Sequence, residues 1–95
     1  MREVYLKIKG RVQGVGFRRW AEKEAKKLGS ISGWVRNCDD GCVEILMRGE
    51  SEKVEAMVIK CHKGPLCARV DEVSFKPSVT NYFLPLITDG IFERI

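Results

Sequence analysis

Gly10-Arg11-Val12-Gln13-Gly14-Val15-Gly16-Phe17-Arg18 is the segment that most restricts how this 95-residue chain can fold. Before it, Val4, Leu6 and Ile8 alternate with polar neighbours, and this period of two predicts a half-buried strand over Val4–Lys9. After it, Phe17, Trp20, Ala21, Ala25 and Leu28 recur at helical spacing, and Gly29 supplies a stop. The chain must therefore exchange one period for the other inside a short glycine-containing loop: the strand breaks at Gly10, turns through Gly14 and Gly16, and enters a helix at Phe17. Such a junction points backbone N–H groups inward at a helix N-terminus and is well suited to an anion. Arg18, in the first turn, adds a permanent cation with a planar fork of donors. A cation placed there opposes the helix dipole and so asks for an anionic companion.

The remaining pattern supplies the partners of this junction. Ser30-Ile31-Ser32 reads as a connector, and Gly33-Trp34-Val35-Arg36-Asn37 as a second strand. Asp39-Asp40-Gly41 reads as a tight turn returning a third strand over Cys42–Met47. Ser51 is a natural N-cap and Glu52 suits a first turn, with Val54, Met57, Val58 and Cys61 forming one apolar stripe before Gly64-Pro65 ends the helix. Val70–Phe75 reads as a fourth strand with a bulge at Asp71-Glu72, closed by Pro77. Strand, helix, strand, strand, helix, strand, with one apolar stripe per helix, predicts an α+β fold. It is a ferredoxin-like split βαβ sandwich: an antiparallel four-stranded sheet with both helices on one face. Nothing marks a second domain, so residues 1–95 read as one. The apolar Tyr82-Phe83-Leu84-Pro85-Leu86-Ile87 reads as a tail packed on that domain, Thr88-Asp89-Gly90 as a turn, and residues 91–95 as compatible with a fifth, edge strand.

Composition removes several function classes. No apolar run reaches the roughly 20 residues a membrane helix requires. Met1-Arg2-Glu3 runs into a strand pattern rather than a signal peptide, which points to a cytoplasmic protein. The formal charge of +4 favours anionic partners without naming them. A base-stacking platform would need aromatics on the central strands; the first offers Tyr5 and the third none, which disfavours nucleic acid, and Trp20 reads as core. Cys38, Cys42, Cys61 and Cys67 have no C-x-x-C spacing and a single histidine, His62, to join them, so they read as free thiols rather than zinc ligands or disulfides. The glycine loop lacks the lysine and hydroxyl residue of a nucleotide P-loop.

Taken together, the Gly10–Arg18 segment, Gly33-Trp34-Val35-Arg36-Asn37, Asp40-Gly41, Val43-Glu44, Gly64-Pro65 and Ala68-Arg69-Val70-Asp71 resemble the acylphosphatase family over about residues 4 to 76. The resemblance implies hydrolysis of the carboxyl–phosphate anhydride of a small-molecule acyl phosphate to carboxylate and inorganic phosphate, with no metal, cofactor or covalent intermediate. It implies that Arg18 and the loop amides from Gln13 through Gly14, Val15, Gly16 and Phe17 to Arg18 hold the phosphate. Asn37 would orient the attacking water. The family's usual connector is one residue shorter than Gly29-Ser30-Ile31-Ser32, and the Asn81–Gly90 segment is greasier than the link expected before a last strand. The Asn81–Gly90 segment leaves the last edge and the oligomeric state open, and the chain is read as a monomeric enzyme. The alternative is a non-catalytic anion-binding or nucleic-acid-binding module on the same fold.

Overall fold

A computed structural model of the chain describes residues 1–76 and 84–95. Its elements are β1 (Arg2–Arg11), α1 (Phe17–Leu28), β2 (Ile31–Asn37), β3 (Val43–Gly49), α2 (Ser51–Lys63), β4 (Arg69–Lys76) and β5 (Phe92–Arg94). They form one sheet of order β4-β1-β3-β2-β5. The four-stranded part is antiparallel, as the pattern predicts, with β1 paired to β3 and β4, and β2 paired to β3. The fifth strand runs parallel to β2, so the sheet as a whole is mixed. β4 and β5 occupy opposite edges, and β4 ends and β5 begins toward the same end of the sheet, so the two edge strands run in opposite directions.

Alternation along the strands sorts their side chains. Val4, Leu6 and Ile8 of β1, Val43, Ile45 and Met47 of β3, and Val35 of β2 are fully buried. They pack with Phe17, Ala21 and Ala25 of α1 and Val54, Met57 and Cys61 of α2 in one core. Each helix therefore contributes a single apolar stripe to the same sheet face. On the other face the sheet carries Trp34 and Leu46, paired in register and both buried. Part of their cover is the segment leading to β5: Trp34 Nε1 donates to the Pro85 carbonyl at 2.9 Å, Arg48 pairs with Asp89 at 2.9 Å, and the Gly90 N–H donates to Ser32 Oγ at 2.7 Å. The tail is thus bound to the domain through Pro85, Asp89 and Gly90, and Phe92 completes the core. Tyr82, Phe83 and the strand-closing Pro77 lie outside the described residues.

Several boundaries differ from the sequence reading by a residue or two, and in the following places pairing outweighs a local signal. β1 does not break at Gly10 but continues to Arg11 beside β4. The register shifts at Lys9/Gly10, where Asp71 is the extra residue of β4, so the anticipated bulge is present. Gly10 has φ 134°, and a Cβ there would stand 2.1 Å from the Arg69 carbonyl oxygen, so the bulge requires glycine. Ile31 and Ser32 are not connector but strand, paired with Gly49 and Arg48, because Ile31 belongs to the core. β3 in turn continues past Met47 to Gly49. With only Glu50 left to leave that strand, the N-cap of α2 is Glu50 rather than Ser51, and no side-chain cap bond forms. Burial of the Phe92 ring makes a three-residue strand depend on one side chain. Phe92→Ala should lower unfolding free energy by roughly 3 kcal/mol or more, measured as a fall in the urea midpoint.

Candidate active site

The loop between β1 and α1 is anchored through alternate residues. Val12 and Phe17 are buried in the core and Val15 packs against it, while Gly14 and Gly16 are exposed, with φ 74° and 77°. A Cβ built at either glycine meets nothing within 4 Å. It is the left-handed backbone, not crowding, that selects glycine here, and the space beside it stays open. Gly16 is the N-cap of α1 and offers no side chain, and no acidic residue occupies the first turn. The helix start therefore presents uncompensated N–H donors and partial positive charge, to which Arg18 and Arg19 add two full charges.

These groups face a cleft of ≈ 300 Å³ whose lining includes Gly14, Gly16, Arg18, Arg19, Asn37 and Arg94. Arg18 and Asn37, nineteen residues apart in sequence, share it because β2 ends at Asn37 beside the loop. Gly14, Gly16 and Phe17 line it too, the last beneath the helix start. Gln13 and Val15 do not. The Gln13 side chain instead turns toward the β2–β3 hairpin, where Nε2 donates to the Cys38 carbonyl at 2.8 Å and the Cys42 carbonyl at 2.9 Å. Trp20 is half-buried with its ring edge toward Phe17, centroids 5.3 Å apart, so it packs rather than offering a stacking surface. Two lining residues escaped the sequence reading. Arg19 had a signal, adjacency to Arg18 at a helix start without acids. Arg94 had none, because its presence depends on where β5 docks; its Nε lies 3.2 Å from Glu22 of α1.

The hairpin bearing Asn37 is held from several sides. The Cys38 N–H donates to the Cys42 carbonyl at 2.9 Å and the Gly41 N–H to the Cys38 carbonyl at 3.2 Å. Asp40 pairs with Lys7 of β1 at 2.8 Å and accepts from the Cys42 N–H at 3.1 Å, contacts that, Lys7 foremost, hold its carboxyl down at about 2. Next to Asn37, the buried Glu44 accepts from the Tyr5 hydroxyl and from Arg36 Nε at 2.7 Å. Burial raises the Glu44 pKa, but hydrogen bonds from Tyr5, Arg36 and Cys38 outweigh it and leave it below its usual value. The same pocket pushes the Cys38 thiol up to about 12, by desolvation first and the Glu44 hydrogen bond second. All four cysteines are free thiols. Among the described residues no three His, Cys, Asp or Glu side chains cluster as metal ligands would, and no helix is long and apolar enough to cross a membrane.

Comparison with known proteins places the chain. The acylphosphatase family model matches residues 4–84. The chain belongs to the acylphosphatase family. It is 53% identical over 74 residues to the acylphosphatase of Nitrobacter hamburgensis, covering 78% of this chain and 74% of that one. It is likewise 53% identical over 72 residues to that of Thermococcus kodakarensis, covering 76% and 78%. The crystal structure of acylphosphatase from Bacillus subtilis superposes with a TM-score of 0.86 at 33% identity, covering 100% of this chain and 99% of that one. This family fold thus includes β5 at its edge, where the sequence reading had left the last strand open.

Two outcomes follow from the hairpin's electrostatics. Because the folded-state carboxyl of Asp40 sits near 2 against an ordinary 3.8, its contribution to stability is complete above pH ~3.8 and is lost as pH falls toward 2. Urea midpoints measured across that window should drop further for the parent than for Asp40→Asn. Cys38 stays a protonated thiol at neutral pH, so alkylation by iodoacetamide should be slow and leave most turnover intact, checked by mass spectrometry alongside an activity assay.

Proposed function

We propose that this protein hydrolyses acyl phosphates to a carboxylate and inorganic phosphate, with the reaction centred on the cleft beneath the α1 N-terminus. One observation carries the reading: the glycine loop, Arg18 and Asn37 line the same small cleft. The phosphoryl group sits over the open backbone of Gly14 and Gly16, its oxygens taken by loop and first-turn N–H groups between Gln13 and Arg18. The Arg18 guanidinium supplies a bidentate, always-charged partner. Asn37 holds a water opposite the leaving group. As the water oxygen bonds to phosphorus, the bond from phosphorus to the acyl oxygen breaks, and its electron pair leaves on the carboxylate. The water protons go to the phosphate product and solvent. A carboxylate leaves without help from a general acid, so what the protein must supply is position and charge complementarity. An amide serves the water well because it neither titrates nor competes for the phosphate charge.

On this reading the chain works as a monomeric, single-domain enzyme of the cytoplasm. Its partner is a small-molecule acyl phosphate rather than nucleic acid, and it needs no metal. Four free thiols accord with a reducing compartment. Turnover of a simple aromatic acyl phosphate in the presence of a chelator tests the proposal. Asn37→Ala should lose ~10²–10³-fold in kcat while inorganic phosphate still inhibits it, and Arg18→Ala should lose more and bind phosphate poorly. A folded parent that fails to turn over would overturn it.

A further inference from the structure

Nothing among the described hydrogen bonds restrains the Asn37 side chain itself; it is exposed at the very end of β2. Where its amide points is therefore decided by the backbone it stands on, the hairpin from Cys38 to Cys42. That hairpin is not integral to the phosphate loop: the loop comes from β1 and the hairpin from β2 and β3. One side chain spans the two. Gln13 Nε2 reaches the carbonyls of Cys38 and Cys42 at 2.8 and 2.9 Å, one on each leg of the turn. Both carbonyls already accept within the hairpin, from Gly41 and Cys38, and each uses a second lone pair for Gln13. Because both neighbours are acceptors without a proton, it must be the NH₂ end of the amide that faces them, and both of its hydrogens are engaged.

We infer that Gln13 is a positioning residue for hydrolysis: its side chain locks the Asn37 hairpin to the phosphate loop and so sets the distance between the oriented water and the phosphoryl group. The inference rests on the proposed roles of Arg18 and Asn37. The geometry separates Gln13's two halves. Its backbone lies in the loop, while its side chain is not part of the cleft lining and hydrogen-bonds to the hairpin. Loss of the side chain should then leave phosphate binding in place and misplace the water, an error to which an in-line displacement is sensitive at the scale of an ångström.

Kinetics of a double-mutant cycle test this. Gln13→Ala should lower kcat by ~10–10², with KM and inhibition by inorganic phosphate within about threefold of the parent. In an Asn37→Ala background the same change should cost almost nothing further, since a residue acting through Asn37 has nothing left to position. Gln13→Glu adds a readout that a general loss of structure would not give. Its carboxylate cannot donate, but its protonated form regains one donor, so its activity relative to the parent should rise as pH falls through the carboxyl titration. Additive losses in the double variant, phosphate affinity falling in step with kcat, or an unchanged kcat would each overturn the inference. If Asn37→Ala itself retains full activity, the assigned role of Asn37 fails instead, and the two failures are told apart.

Discussion

Pairing of β1 on both of its edges is the constraint on which the rest depends. β3 takes one edge and β4 the other, while Val4, Leu6 and Ile8 lie on the helix side with no solvent exposure. A shift of one residue along β1 would turn those three side chains to the wrong face, so its register is tightly specified. The glycine loop and Arg18 are hung from the end of this strand. Val12 continues the buried row, and the loop after it can open its backbone to solvent because its other residues are pinned below. The site is thus a by-product of a well-anchored core rather than a separately stabilised loop.

Electrostatically the cleft is unfinished. Arg18, Arg19 and Arg94 share its lining with a helix start that has neither an acidic residue nor a side-chain cap. Glu22 lies near Arg94, yet the cleft keeps an excess of positive charge and unfilled donors. Proteins ordinarily cap such helix starts with a side-chain oxygen, and the glycine that stands there instead lowers stability by only about a few tenths of a kcal/mol relative to a capped helix. On the proposed reading, a doubly charged phosphoryl group completes it. By contrast, the hairpin opposite is fully provided for: Asp40 has Lys7, Glu44 has Tyr5 and Arg36, and the two turn carbonyls have Gln13. Rigidity lies on the hairpin side, proposed to orient water, and open charge on the loop side, proposed to receive the anion.

Local chemistry made most of this legible. The bounds of α1 were readable because a glycine stands at each end, and the hairpin because Asp39-Asp40-Gly41 separates two apolar runs. Arg18, Gly14, Gly16 and Asn37 were singled out in the sequence and meet in one cleft. What was not legible depends on distant pairing. Whether Ile31 starts a strand is settled by the core it enters. β5 runs parallel because it docks on the edge opposite β4, and Arg94 reaches the cleft only as a result. Gln13 was read for its backbone, and the reach of its side chain to Cys38 and Cys42 has no local signature.

The bulge at Asp71 has an effect beyond fitting Gly10 against β4. A sheet with two edges is open to growth by addition of strands from other copies, which is the usual route to aggregates. Here one edge is kinked by the extra residue and studded with Arg69, Asp71, Glu72 and Lys76, all exposed. The other ends in a strand of three residues carrying Glu93 and Arg94. Neither outline, among the described residues, presents a flat ladder onto which a second chain could extend. A small β-rich protein can in this way remain dispersed at high concentration while the middle of its sheet stays almost wholly apolar on one face.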